Sequence, residues 1–292
     1  MNALKKILIV LFGLIIVSAG SAFWILNSSG LTSRIVPFLI NRQFKDIKIN
    51  GLSIAQQRFI FPDRLELKDI KMKASRSGEP VVIEDADVEI DLSALSGSFF
   101  VSQGQYSNYK ATDIKGVFNK SGLKFTIAPL TAKLYGGTIA AEIVLAYSKD
   151  FPYSINLKAK EIGMLELEEI NQAVFSNMKG KADADLHIVG TAGGITNVSG
   201  SVWSPKNAQI KAVLLKPLLD YIPQSTQKKE LDLLIKEQGN IPLETAVLKI
   251  ENYEDEKLAT RVDLKSEKFN LDIGVKLDLN IEGGMKNLMS LF

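Results

Sequence analysis

The chain has 292 residues, no cysteine, one histidine, and 35 Lys plus Arg against 33 Asp plus Glu, a formal charge of +2. That inventory excludes a disulfide framework, a zinc set and a Cys–His nucleophile pair, and the near-neutral balance lacks the basic field on which nucleic-acid binding draws. Stability must come from burial, strand pairing or a membrane tether.

The first element is apolar. Lys5 and Lys6 precede ILIVLFGLIIVSAGSAFWIL, residues 7–26, a run of twenty residues without a charge. At about 1.5 Å per residue such a run spans a hydrocarbon core of roughly 30 Å. Trp24 stands near its far end as an interfacial aromatic, and the next charge is Arg34. The run predicts a transmembrane signal anchor over residues 1–26, with Lys5 and Lys6 on the cytoplasmic side and the remainder translocated. The rival reading is a cleaved signal peptide with Gly20-Ser21-Ala22 as the small-residue site; Phe23-Trp24-Ile25-Leu26 prolong the run beyond it and favour retention. Residues 27–45 form a juxtamembrane segment in which Ile35, Phe38, Leu39 and Ile40 predict a short helix, lying near the membrane surface or starting the fold.

From residue 46 the dominant period is two, the signature of half-buried strands. The alternation predicts strands at 46–54, 57–61, 64–73, 81–92, 112–119, 122–127, 129–135, 137–147, 152–160, 180–190, 196–203, 207–213, 243–252, 257–265 and 269–281. Separators such as Pro62-Asp63, Ser77-Gly78-Glu79-Pro80 and Gly193-Gly194 carry turn chemistry. Residues 162–178 read as a helix or an irregular crossing. Residues 213–238 read as two short helices interrupted by Pro217 and Pro223, with Leu231, Leu234 and Ile235 on one face, able to plug one end of a sheet. In 269–281, FNLDIGVKLDLNI, every odd-numbered residue is apolar and every even-numbered one polar or small; thirteen residues at about 3.4 Å each give some 44 Å of strand. The tail places Met285, Leu288, Met289 and Phe292 at helical spacing, as an amphipathic cap or a frayed end.

The fold class that follows is mainly β: a long, curved antiparallel sheet groove with an N-terminal transmembrane helix and a few short helices, the β-rich domain covering 46–292 with a helical interruption at about 213–238. A sheet with one apolar face must bury it, and two covers remain open. One is polypeptide, as in a β-sandwich or flattened barrel. The other is lipid, with acyl chains lying on Ile139, Ile143, Leu145, Ile155, Leu157, Leu186, Ile188, Phe269, Leu271, Ile273, Val275, Leu277 and Leu279.

The run GLKFTIAPLTAKLYGGTIAAEIVLAY, residues 122–147, followed by Pro152–Ala159, the strand GKADADLHIVGT at 180–191 and Gly200–Val202, resembles the repeating pattern of the AsmA-like family, which includes the TamB-type bacterial envelope proteins. The anchor followed by residues 49–74 resembles the same proteins. The resemblance covers about two thirds of the chain; the chain is short for the family, and 213–238 has no counterpart in it. It implies a curved β-groove held at the inner membrane, with the bulk of the chain in the periplasm. The implied role is binding or passing phospholipid for outer-membrane biogenesis, with envelope proteins or further copies as partners. The alternative is a scaffold that assists outer-membrane protein assembly without holding lipid.

Little else reads as chemistry. His187 shares strand parity with Lys181, Asp183 and Asp185, the solvent parity. The carboxylates Asp85, Asp87, Glu89 and Asp91 lie at i, i+2 on another exposed strand, without the burial that separates a catalytic acid from a base. Gly190-Thr-Ala-Gly193-Gly194 lacks the GKS or GKT ending of a phosphate loop and reads as a hairpin turn. No enzyme, cofactor or metal is expected.

Overall fold

Long strands dominate the computed structural model, which describes residues 27–43, 47–76, 79–148, 150–164, 176–191, 194–205, 208–221, 224–254 and 257–280. The expected anchor at 1–26, the central part of the 162–178 crossing and the tail from 281 lie outside these residues. Among the described residues no helix is long and apolar enough to cross a membrane.

Thirteen strands form one antiparallel sheet, hydrogen-bonded to one another in their order along the chain, and three short strands form a second sheet. By internal contacts the chain divides into two compact units, Met1–Lys120 and Ser121–Phe292.

The first unit holds α1 (Ser29–Gln43), β1 (Ile47–Ile60), β2 (Arg64–Arg76), β3 (Glu79–Asp91), β4 (Ser96–Tyr106) and β5 (Tyr109–Ser121). Ser28 opens α1: its hydroxyl accepts from the Leu31 N–H at 3.4 Å and its carbonyl from the Thr32 N–H at 3.1 Å. The helix lies along the edge strand β1 and is fastened at both ends. The Asn41 amide binds both backbone groups of Ile49, donating to its carbonyl at 3.0 Å and accepting from its N–H at 2.6 Å. At the other end the Phe59 N–H donates to Asn27 Oδ1 at 2.9 Å. An unpaired strand edge is a template for aggregation, and here a side-chain amide stands in for the missing strand. A helix is therefore present within the 27–45 segment, where one was expected, and it is tied to β1.

Three sequence expectations are corrected in this unit and at its border. Residues 57–61 are no separate strand; they continue β1, and Asn50-Gly51 is a bulge between the Ile49 and Gly51 registers. Strand β4 went unpredicted because GSFFVSQGQY places Gly97, Gln103 and Gln105 where alternation calls for apolar groups; it pairs with β3 and β5 along its whole length. Residues 122–127 and 129–135 form a single strand, with Pro129 inside the register shift between Ile127 and Leu130, where a missing N–H costs no ladder bond.

The second unit holds β6 (Lys124–Leu134), β7 (Gly137–Ala146), β8 (Tyr153–Gly163), β9 (Met178–Lys179), β10 (Lys181–Thr191), β11 (Gly194–Trp203), β12 (Ala208–Lys211), a 3₁₀ helix (Ala212–Tyr221), α2 (Thr226–Lys236), β13 (Asn240–Leu243), β14 (Thr245–Glu254), β15 (Lys257–Ser266) and β16 (Leu271–Asn280). Its buried core is local. Ala208, Ile210, Ala212, Leu215, Leu231, Ile241, Leu243 and Phe269 form one cluster, with Met178, Leu219, Leu234 and Ile235 packed around it. Ser225 caps α2 by accepting from the Lys228 N–H at 3.1 Å, and the Ser266 hydroxyl ties β15 to β13 by donating to the Pro242 carbonyl at 2.7 Å. The small sheet and both helices thus plug one end of the unit, where 213–238 was expected to act. The observed β16 begins at Leu271; Phe269 sits in the preceding turn, buried in the plug.

Candidate functional site: the apolar face of the second unit

Directly opposed residues of antiparallel neighbours share a face, so the strand registers decide which side chains stand together. Ile143 opposes Ile155, Ile155 opposes Ile188, and Ile188 opposes Val198. One step along, Ala141, Leu157, Leu186 and Gly200 form a parallel row that continues through Ile250 and Thr260 to the Leu277 position. A third row joins Ile139, Ala159, Ala184, Val202, Leu248, Val262 and Val275. Leu145 lies between Phe125 and Tyr153 at the end away from the plug. Leu279 is opposed to Leu258.

Alternation alone could not establish that these strands present their apolar sets in phase, since a one-residue slip anywhere would have split the face. Bulges hold the phase. Between Ala182 and Ala184 on β10, the register with β8 shifts at Glu161, a non-glycine residue with φ of 56°. The Glu161 N–H, freed from the ladder, donates to Asp183 Oδ1 at 2.7 Å.

The candidate lining divides by what covers it. Ile139, Ile143, Leu145, Ile155, Leu157, Leu186 and Ile188 are half-buried, and none belongs to the buried cluster. Val275 is half-buried as well. Leu271 and Ile273 pack against the plug beside the buried Phe269, so protein covers that corner. On the reverse face Thr138, Glu142, Asn156, Lys158, Lys160, Asp185 and His187 are exposed.

The first unit carries an apolar face of its own that sequence reading missed. Ile54, Ile70, Ala86, Val101 and Ile114 form one row, and Ile54, Ala86 and Val101 are buried. In the next row Phe99 opposes Gly116, and its ring occupies the space a side chain there would need. The Phe99 and Val101 alternation was the available signal, diluted by the glycines and glutamines of β4.

The polar groups singled out from the sequence have structural partners. His187 Nδ1 lies 2.6 Å from Asn156 Oδ1. Asp185 pairs with Lys158 at 3.7 Å, Asp85 with Lys71 at 3.4 Å and Glu89 with Arg64 at 3.0 Å, all at the surface, where such pairs contribute about 0–1 kcal/mol. Asp87 accepts from the Asp69 N–H at 3.0 Å. Asp91 accepts from the Ala94 and Ser93 N–H groups, each at 2.9 Å, and from the Ser93 hydroxyl at 2.7 Å. The Ala94 N–H is the largest influence holding the Asp91 carboxyl below its ordinary range, followed by the Ser93 hydroxyl. Thr191 opposes Gly194 in the β10–β11 hairpin. Among the described residues no three His, Cys, Asp or Glu side chains form a group that could hold a metal ion.

No protein-family model matches the chain, and neither a curated protein nor a solved structure matches it.

Proposed function

We propose that the second unit is a lipid-holding surface, with phospholipid acyl chains lying on the rows through Ile143, Leu157 and Ile139. The observation that carries this reading is the in-phase apolar face on which Ile139, Ile143, Ile155, Leu157, Leu186 and Ile188 stay half-buried outside the plug core, with the smaller Ala159 and Val198 buried among them. An acyl chain of roughly sixteen carbons recovers on the order of 10 kcal/mol if its methylenes leave water at about 0.8 kcal/mol each. Bulges bend the strands that carry them, and those at Ile127/Leu130, Ala182/Ala184, Val189/Gly190 and Ile250/Asn252 curl the sheet around its cargo into a groove.

Residues 7–26 anchor the chain in the inner membrane and supply lipid at high local concentration, with the β-rich part in the periplasm. The resemblance of residues 122–202 to the AsmA-like pattern supports the same reading. Native mass spectrometry of the gently extracted full chain tests it. Bound phospholipid is expected; a chain that emerges folded and lipid-free defeats the proposal and leaves the scaffold alternative.

A further inference from the structure

In the first unit, the chain emerges from its apolar N-terminal run at a defined place. Residues 7–26 are uncharged, and the next residue, Asn27, is fixed to the Phe59 N–H at 2.9 Å. Two residues further, about 7 Å along an extended chain, Phe61 projects from the β1–β2 turn with 84% of its surface exposed. The β3–β4 turn lies alongside, its Leu92 N–H donating to the Asp63 carbonyl at 2.7 Å, and presents the exposed Leu95. Asn41 at the other end of α1 holds Ile49, ten residues back along β1 from Phe59. The strand therefore directs one end, the Phe61 end, toward the point where the apolar run terminates.

The second unit has a comparable patch. Leu123 is 71% exposed, Tyr147 58% and Phe151 45%. They are one surface: the Tyr147 N–H donates to the Leu123 carbonyl at 2.7 Å, and the Tyr147 and Phe151 rings meet edge-on at 5.6 Å. The patch lies at the Tyr153 end of β8, while the Gly163 end leads to the plug through the Met164 N–H bond to the Gly180 carbonyl at 3.0 Å. It adjoins Phe125, Leu145 and Tyr153, the outermost row of the apolar face. A turn tip of Leu, Tyr and Phe exposed together is costly in water and suited to the headgroup–acyl boundary, where amphipathic rings concentrate.

We infer that these turn tips, Phe61 in the first unit and Leu123, Tyr147 and Phe151 in the second, insert into the interface of a lipid bilayer. The second patch is then the mouth through which an acyl chain reaches the apolar face. That last clause rests on the lipid-holding reading; the insertion itself does not.

The absence of cysteine makes the test clean. Single-cysteine variants Phe61→Cys, Leu123→Cys, Tyr147→Cys and Phe151→Cys of the full chain are labelled with a polarity-sensitive fluorophore. They are reconstituted into vesicles of phosphatidylethanolamine and phosphatidylglycerol carrying doxyl-labelled acyl chains. Leu233→Cys, on an exposed apolar residue of the plug, and Glu267→Cys, in the β15–β16 turn, are the references. Quenching several-fold above both references is expected at all four tips. Quenching no greater than at Leu233 overturns the insertion, as does label-to-label quenching between copies in its place. Ile143→Cys separates the two readings: if it is unquenched while the tips are quenched, the groove fails and the docking stands. Should a variant misfold, the unmodified chain is irradiated with a photoactivatable phospholipid, and lipid adducts confined to peptides outside these turns overturn the inference equally.

Discussion

Ile155 stands at the centre of the proposed lining, directly opposed to Ile143 on one side and Ile188 on the other. Replacing it by aspartate removes two apolar cross-strand pairs, each worth roughly 0.2–1 kcal/mol. Because the position is half-buried, the carboxylate reaches water without an ion having to be buried, and the expected loss of stability is about 1–2 kcal/mol. The loss of lipid is larger. A carboxylate beside the acyl chain takes about three methylenes out of apolar contact, about 2.5 kcal/mol, or a roughly 50- to 100-fold weaker hold. The assay is phospholipid stoichiometry by native mass spectrometry on gently extracted protein, with a thermal melt confirming that the variant folds. Thr138→Asp, exposed on the reverse face and opposed to Lys160, serves as the matched charge control and is expected to retain lipid. A folded Ile155→Asp protein carrying as much phospholipid as the parent refutes the reasoning. Ile273 is unsuitable for this test, since it packs on the plug and a charge there would be read as unfolding.

Three further outcomes follow from the local geometry. Leu231, 1% exposed at the centre of the plug, is expected to cost about 2–5 kcal/mol on Leu231→Ala, read from chemical denaturation; a shift below 1 kcal/mol, on the order of a surface substitution, would mean the plug contributes little to folding. Asn41→Ala leaves both backbone groups of Ile49 without their side-chain partner, a loss of about 1–3 kcal/mol; faster hydrogen exchange at the Ile49 amide checks it, and unchanged exchange would show that α1 does not protect the β1 edge. The third concerns acid. The folded-state pKa of Asp91 lies below its ordinary value of 3.8, so its hold on the β3–β4 turn is complete above that value and is lost as the pH falls through the lowered one. The protection factor of the Ala94 amide, its exchange rate compared with that of an unstructured amide at the same pH, should fall across that acid window, and Asp91→Asn should abolish that fall.

The strand-rich class of this protein and its two-faced sheet were legible along the chain because the period of two is local: β7, β8 and β10 each announce their own inside and outside through single side chains such as Ile143 and Glu142. The two helices of the plug were legible for the same reason, from Leu231, Leu234 and Ile235 against prolines at 217 and 223. What a linear reading could not supply was phase between strands. The bulge at Glu161 sets the β8–β10 register on either side of it, and the one at Pro129 sets that of β6 against β7; a bulge depends on the neighbouring strand as much as on its own residues. Burial was equally out of reach. Phe269, Leu271 and Ile273 share the alternation of Val275, but only the folded arrangement brings the 3₁₀ helix and α2 over the first three, because covering a side chain depends on segments distant in sequence. Strand β4, whose glycines and glutamines conceal any period, exists because β3 and β5 supply ladder partners on both sides: its conformation is decided by non-local hydrogen bonds.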